Sequence, residues 1–118
     1  MTDPAASKDH PHLAHDVMEW LEKRSESAEH IDEAFSILAA QRRRLLLEVL
    51  VEYEREMTLP DAAEEVAQRE TGRSITDLSA QQVSNVYISL YHDHLPRLVS
   101  AGLLEYEQEN DLVALSRA

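Results

Sequence analysis

The segment Ser79-Ala80-Gln81-Gln82 constrains the fold of this chain more than any other. Ser at an N-cap and Gln three residues on form a capping box, and Leu78 and Val83 fall at the two positions of a hydrophobic staple. A helix begun there runs toward Ala101-Gly102, where Gly can take the left-handed cap conformation. Pro96 within it removes a backbone donor and crowds the carbonyl of residue 92, so a bend is expected. Beyond Gly102 the hydrophobic period changes. Leu103-Leu104-Glu105-Tyr106-Glu107 and Leu112-Val113-Ala114-Leu115 predict two short strands. The turn between them covers Gln108 to Asp111, with Asn110 suited to a positive φ.

Upstream the pattern is helical throughout. Leu13, Val17, Trp20 and Leu21 share one face of an amphipathic arm over residues 11–30, and Ser25-Glu26-Ser27 weakens it near its end. Such an arm is too short to be stable alone, so its stripe is expected to dock on the domain or on a second copy. Ile31, Ala34, Phe35 and Leu38 predict a helix over 31–39, and Leu46, Val49, Leu50 and Tyr53 one over 41–54. Thr58 with Asp61 three residues on opens a further helix, in which Pro60 is tolerated because first-turn amides lack intrahelical partners. Leu59, Ala62, Ala63, Val66 and Ala67 form its apolar face, and Gly72 caps it. Residues 1–10 are small, polar and charged, and are expected to be disordered. The expected organisation is therefore a tail (1–10), an arm (11–30) and a domain (31–118).

Composition narrows the function. Two glycines and four prolines argue against a turn-rich β fold. No Cys is present, which removes disulfides, zinc ribbons and thiol catalysis. No apolar run is long enough for a membrane span, and the N-terminal residues lack the apolar stretch of a signal peptide, so a cytoplasmic protein is expected. No Gly-rich phosphate loop and no Gly-x-Ser-x-Gly motif occurs, so neither an enzyme, a small-molecule substrate nor a cofactor is expected. The net charge is −12, from 23 acidic and 11 basic residues. Such acidity opposes nucleic-acid binding, because affinity there comes largely from neutralising phosphates. Residues 1–35 hold nine acidic groups against three basic, whereas residues 36–100 hold ten against seven. With only Lys8 and Lys23 as lysines, the charge also suits a surface bathed in molar salt, where carboxylates hold water and their repulsion is screened.

The order helix, helix, helix, long helix, hairpin is that of a winged helix-turn-helix. Leu38-Ala39-Ala40-Gln41-Arg42-Arg43-Arg44-Leu45-Leu46 resembles the first-helix segment of arsenic-repressor-like winged-helix regulators, without its Asn-Pro pair. Leu90-Tyr91-His92-Asp93-His94-Leu95-Pro96-Arg97-Leu98, continuing to Leu104, resembles their recognition-helix-to-wing segment. The stretch from Val86 to Leu98 is closer still to small haloarchaeal winged-helix domains of unassigned function. The resemblance covers roughly residues 34–116. It implies a mainly α winged helix-turn-helix, with a three-helix core and a two-stranded hairpin, beside an N-terminal amphipathic helix. It also implies a DNA-binding transcriptional regulator of a halophilic archaeon.

On that reading, helix 79–101 is the recognition helix. Asn85, Ser89 and His92 face the bases, and Arg42, Arg43, Arg44 and Arg97 reach phosphates. Arg42 to Arg44 sit in the first turn of a helix, the unfavourable end for cations, so something else must favour them there. Phosphate is one candidate; nearby acids such as Glu48 and Asp93, or solvent anions, are others. His94 is expected to face the core. Leu13, Val17, Trp20 and Leu21 would join a homodimer. The acidic wing tip, Glu107 to Asp111, is expected to stay out of a groove. Two alternatives remain: a winged-helix protein-interaction module without DNA binding, and a metal- or ligand-sensing repressor. For the last, the histidines supply no ligand set of favourable spacing, so no metal site is expected.

Overall fold

The computed structural model describes residues 12–23 and 28–117. The expected tail and Ser25-Glu26-Ser27 lie outside the described residues. The chain divides into two units, Met1–Asp32 and Glu33–Ala118. Within the first, α1 (Leu13–Glu22) is an amphipathic helix with the i, i+4 pair Lys23–Glu19 at 3.0 Å along its polar side. Helix α2 (Ala28–Leu38) carries the chain from the first unit into the second.

In the second unit, Gln41–Tyr53 forms α3, which ends where Glu54 takes a left-handed conformation (φ 53°). Met57–Thr58 forms β1, a strand of two residues. Thr58 then caps α4 (Leu59–Thr71), its hydroxyl accepting from the Asp61 amide at 3.2 Å, and Gly72 closes that helix at φ 73°. A single 3-10 turn at Ile75–Asp77 leads to α5 (Ala80–Ser89), whose capping box is complete. Gln82 N–H donates to the Ser79 hydroxyl at 3.0 Å, and Ser79 N–H donates to Gln82 Oε1 at 2.8 Å.

The long helix is unbroken from Ala80 to Ser100 but not uniform. Leu90–His94 widens into a π turn, in which the Leu95 amide reaches back five residues to the Leu90 carbonyl, and α6 (Leu95–Ser100) follows. The irregularity expected at Pro96 falls just before it, as this wide turn. The wide turn relieves the pressure of the proline ring on the turn behind it.

Gly102, at φ 78°, turns the chain into β2 (Leu104–Glu107), which pairs antiparallel with β3 (Leu112–Leu115). The positive φ in their turn belongs to Asp111 (55°), not to Asn110. The expected two-stranded hairpin is present, and β1 joins it to make a three-stranded sheet of order β1-β3-β2, with Met57 opposite Val113 and Thr58 opposite Leu112. A two-residue strand has no period to read; only its partner across the sheet defines it.

The core is aliphatic. Leu46, Val49 and Leu50 from α3 meet Leu59, Ala62, Ala63, Val66 and Ala67 from α4, and Val86, Leu90, Leu95 and Leu98 from the long helix close over them. The alanines of α4 let the helices approach closely. Membership of an apolar stripe does not ensure burial. Phe35 and Tyr53 are exposed, and Ile37 is the buried residue of α2. Among the described residues no helix is long and apolar enough to cross a membrane.

Candidate nucleic-acid interface

The buried face of the long helix leaves a defined stripe outside. Asn85, His92, Asp93, Pro96 and Ser100 are exposed and Ser89 is half-buried, so the residues assigned to base contacts do share one outer face. Asn85 is not independent there. Its Oδ1 accepts from Gln81 Nε2 at 2.8 Å, one helical turn earlier. Sequence reasoning passes over Gln81, which the capping-box motif absorbs as a linker between Ser79 and Gln82. His92 lies edge-on to Tyr91, with ring centroids 5.0 Å apart.

One property of this surface is visible only when the fold exposes it. From Leu78 through His92 the chain has no Asp, Glu, Lys or Arg, although charged residues make up 29 % of the sequence. The outer side of α5 therefore presents Gln81, Gln82, Ser84 and Asn85 without a carboxylate among them. Asp93 ends the neutral stretch, and it is paired: Arg97 Nε donates to Asp93 Oδ1 at 3.1 Å. That hydrogen bond holds the Asp93 carboxyl below its usual range.

The arginines assigned to phosphates have partners inside the unit. Arg42 Nε lies 3.0 Å from Glu70 Oε2, tying α3 to the end of α4. Arg43 Nε donates to the Ile37 carbonyl at 2.6 Å and its NH2 to the Ser36 carbonyl at 3.4 Å. Arg44 NH1 donates to the Leu38 carbonyl at 2.6 Å. Three carbonyls of the last turn of α2, its negative dipole end, thus receive two guanidinium groups. This explains why cations stand in the first turn of α3. Arg43 and Arg44 cap the helix before it, and Arg42 pairs with an acid, which is Glu70 rather than Glu48 or Asp93. Glu48 belongs instead to Arg69, which gathers Glu48, Glu52 and Glu65 at 2.8, 2.7 and 3.8 Å. Arg73, in the turn before α5, is exposed, and its guanidinium makes no ion pair among the described residues.

His94 is buried, as expected. Its Nδ1 lies 3.3 Å from Arg43 NH1 and its Nε2 lies 3.7 Å from Asp93 Oδ2. Burial, with help from Arg43, pushes its pKa below the ordinary value, so the neutral ring accepts from Arg43. His94 thereby joins the π turn of the long helix to the arginine that caps α2. Among the described residues no three His, Asp or Glu side chains gather as a metal-ligating group.

The turn between β2 and β3 is held from inside. Asp111 accepts from Tyr106 Oη at 2.6 Å and from Tyr87 Oη at 2.7 Å, and its backbone carbonyl accepts from the Leu59 amide at 2.7 Å. Tyr87 stacks on Tyr91 (centroids 6.2 Å apart), and Tyr91 meets Tyr106 edge-on. The acidic turn thus uses one carboxylate to fix itself against the long helix, while Glu105, Glu107 and Glu109 remain exposed. A cleft of about 530 Å³ between α4 and α5 is lined by Pro60, Ile75, Leu78, Val83 and Tyr87, with Glu64, Ser79 and Ser84 as its polar side chains.

The family described as domain of unknown function (DUF7344) matches residues 35–114. The chain belongs to that family. The DUF7344 region runs from the second half of α2 to β3, so it contains the capping arginines, the π turn and the tyrosine–Asp111 cluster. No curated protein and no solved structure matches the chain.

Proposed function

We propose that this DUF7344 domain is a winged helix-turn-helix that reads DNA with the outer face of α5, and that it serves as a transcriptional regulator. The element order supports the reading: α3, β1, α4, a short turn, α5 with its extension, then the β2–β3 hairpin as wing. The observation that carries it is the absence of charge from Leu78 to His92 in a chain of net charge −12. An exposed helix of amides and hydroxyls can approach base edges without a carboxylate facing the phosphates. Phosphate contacts would fall to Arg73 and Arg97, which flank that surface, and to the spare donors of Arg44. Arg42 and Arg43 serve the fold first. The acidic wing stays outside the groove.

The surplus of carboxylates fits work in concentrated salt. There the release of counterions contributes little, so few basic side chains are needed and direct readout carries more of the affinity. We assign the Leu13, Val17, Trp20 and Leu21 stripe of α1, where Leu13 is 54 % exposed, to a second copy of the chain in a homodimer. Sedimentation of the full chain and of Leu13→Glu tests this, and equal masses would refute it.

The test of DNA binding is retention of duplex DNA by the full chain in about 1 M KCl, where screening leaves mainly short-range contacts. Wild type should bind, and Asn85→Asp and Ser89→Glu, which place a carboxylate on the neutral face, should release the DNA while melting at the same temperature. Equal and negligible retention by all three would sink the proposal. A protein-interaction module is the second reading. It is favoured by Ile88 of α5 and Val99 of α6, 50 % and 39 % exposed, which suit a protein partner as well as a groove.

A further inference from the structure

We infer that Gln81 and Asn85 act as one preorganised amide pair that selects adenine, so that this surface prefers A·T pairs. The inference rests on the DNA-binding reading above and names what that site would recognise. The two side chains are one turn apart on the exposed side of α5, and Gln81 Nε2 donates to Asn85 Oδ1 at 2.8 Å. With that bond formed, Gln81 Oε1 and Asn85 Nδ2 are the groups of the pair that it leaves unused. The Asn85 acceptor is engaged, so Asn85 offers its NH2 group. The carbonyl of Gln81 takes no part in the bond, so the pair offers an acceptor at Gln81 Oε1 beside a donor at Asn85 Nδ2.

Adenine presents the complementary pattern in the major groove, an acceptor at N7 and a donor at N6. Guanine presents two acceptors, N7 and O6, and would set O6 against Gln81 Oε1. An isolated Asn can offer both its groups to adenine after freezing its own rotamers. A pair already joined has less freedom left to lose. The same face continues to Ile88, three residues beyond Asn85, which is 50 % exposed on a helix with no other large exposed apolar side chain. An exposed branched alkyl group there matches the C5-methyl of thymine.

The experiment selects bound duplexes from a pool with a randomised central stretch, using the full chain in concentrated KCl. The enriched sequences are expected to carry A·T pairs at the most constrained positions. Replacing the selected adenine by 7-deaza-adenine, which deletes N7, should weaken wild-type binding by roughly 10-fold, the discrimination expected of one good base contact. The same replacement should leave Asn85→Ala, which has lost the donor to N7, unaffected. The side chain is exposed, and circular dichroism will verify that the variant folds. Replacing thymine by uracil should weaken wild type but not Ile88→Ala. Enrichment of G·C pairs, or equal sensitivity to 7-deaza-adenine in wild type and Asn85→Ala, would overturn the inference and leave DNA binding standing. If wild type enriches no sequence yet retains DNA, specificity of every kind is refuted. If it retains none, the DNA-binding reading falls with it.

Discussion

Arg43 Nε sits 2.6 Å from the Ile37 carbonyl, so a side chain from the first turn of one helix caps the last turn of the helix before it. Ser36 and Leu38 receive the other contacts, from Arg43 and Arg44. Carbonyls at a helix C-terminus lack intrahelical donors and carry the negative end of the dipole, and a guanidinium answers both needs. Arg43→Ala is expected to cost roughly 2 kcal/mol, the scale of a charged hydrogen bond, and Arg44→Ala, more exposed, less. Urea unfolding measures both. Equal and negligible losses would mean that the caps contribute nothing. A charge reversal at Arg43 therefore reports on folding before it reports on DNA.

The Asp111 cluster predicts sensitivity to alkali. Its hydrogen bond holds the Tyr87 hydroxyl up to about 12 from an ordinary 10.0, and burial together with Asp111 raises Tyr106 further. A raised folded-state pKa gives stability that is present below the unfolded value and is lost as pH rises through the folded one. Stability should therefore begin to fall above about pH 10, as the unfolded chain sheds tyrosine protons that the folded chain keeps. Asp111→Ala, which removes the shared acceptor, should flatten that fall and cost roughly 2 kcal/mol at neutral pH, because two hydroxyls lose their partner. Denaturant melts from pH 8 to 12 decide the matter; parallel curves for wild type and variant would contradict it.

His94 predicts the opposite limb. Burial lowers its pKa, so the unfolded chain binds the proton more readily than the folded one. Its contribution is present above the unfolded value of about 6.5 and is lost as pH falls through the lower folded value. Protonation would also set an N–H of the ring against Arg43 NH1, 3.3 Å away. The groups facing His94 are Arg43, Asp93 and, at longer range, Arg42 and Arg97, so Asp93 alone opposes the effect. The melting temperature of wild type should drop below pH 6, and that of His94→Gln should drop less. Identical pH profiles would exclude the ring as the source.

Arg69 predicts a dependence on salt. It holds Glu48, Glu52 and Glu65 together, and without it three carboxylates share one ridge between α3 and α4. Lowering KCl from about 1 M to about 0.1 M lengthens the screening distance from about 3 to about 10 Å. Wild type should melt at lower temperature in dilute salt, and Arg69→Ala should lose more on dilution than wild type does. A melting temperature indifferent to salt in both proteins would count against salt adaptation.

The local signals were legible in the sequence. Ser79 with Gln82, Thr58 with Asp61, and Gly72 and Gly102 mark helix ends because capping is decided within four residues. The apolar face of α4 was legible in full, since Leu59, Ala62, Ala63, Val66 and Ala67 repeat with the helical period and are all buried. The outer position of Asn85 and His92 follows from that same periodicity.

What the sequence could not decide were partnerships between distant residues. Met57–Thr58 becomes a strand only because Val113 and Leu112 lie opposite. Asp111 reads as one more carboxylate on an acidic turn until the long helix brings Tyr87 to it across 24 residues. Arg42 to Arg44 read as cations awaiting an anion; the fold gives Arg42 the distant carboxylate of Glu70, and gives Arg43 and Arg44 three helix-end carbonyls and His94. Periodicity records which side of an element meets the core. It carries no record of which polar atom, tens of residues away, completes a hydrogen bond, because that depends on how the packed helices are placed in space.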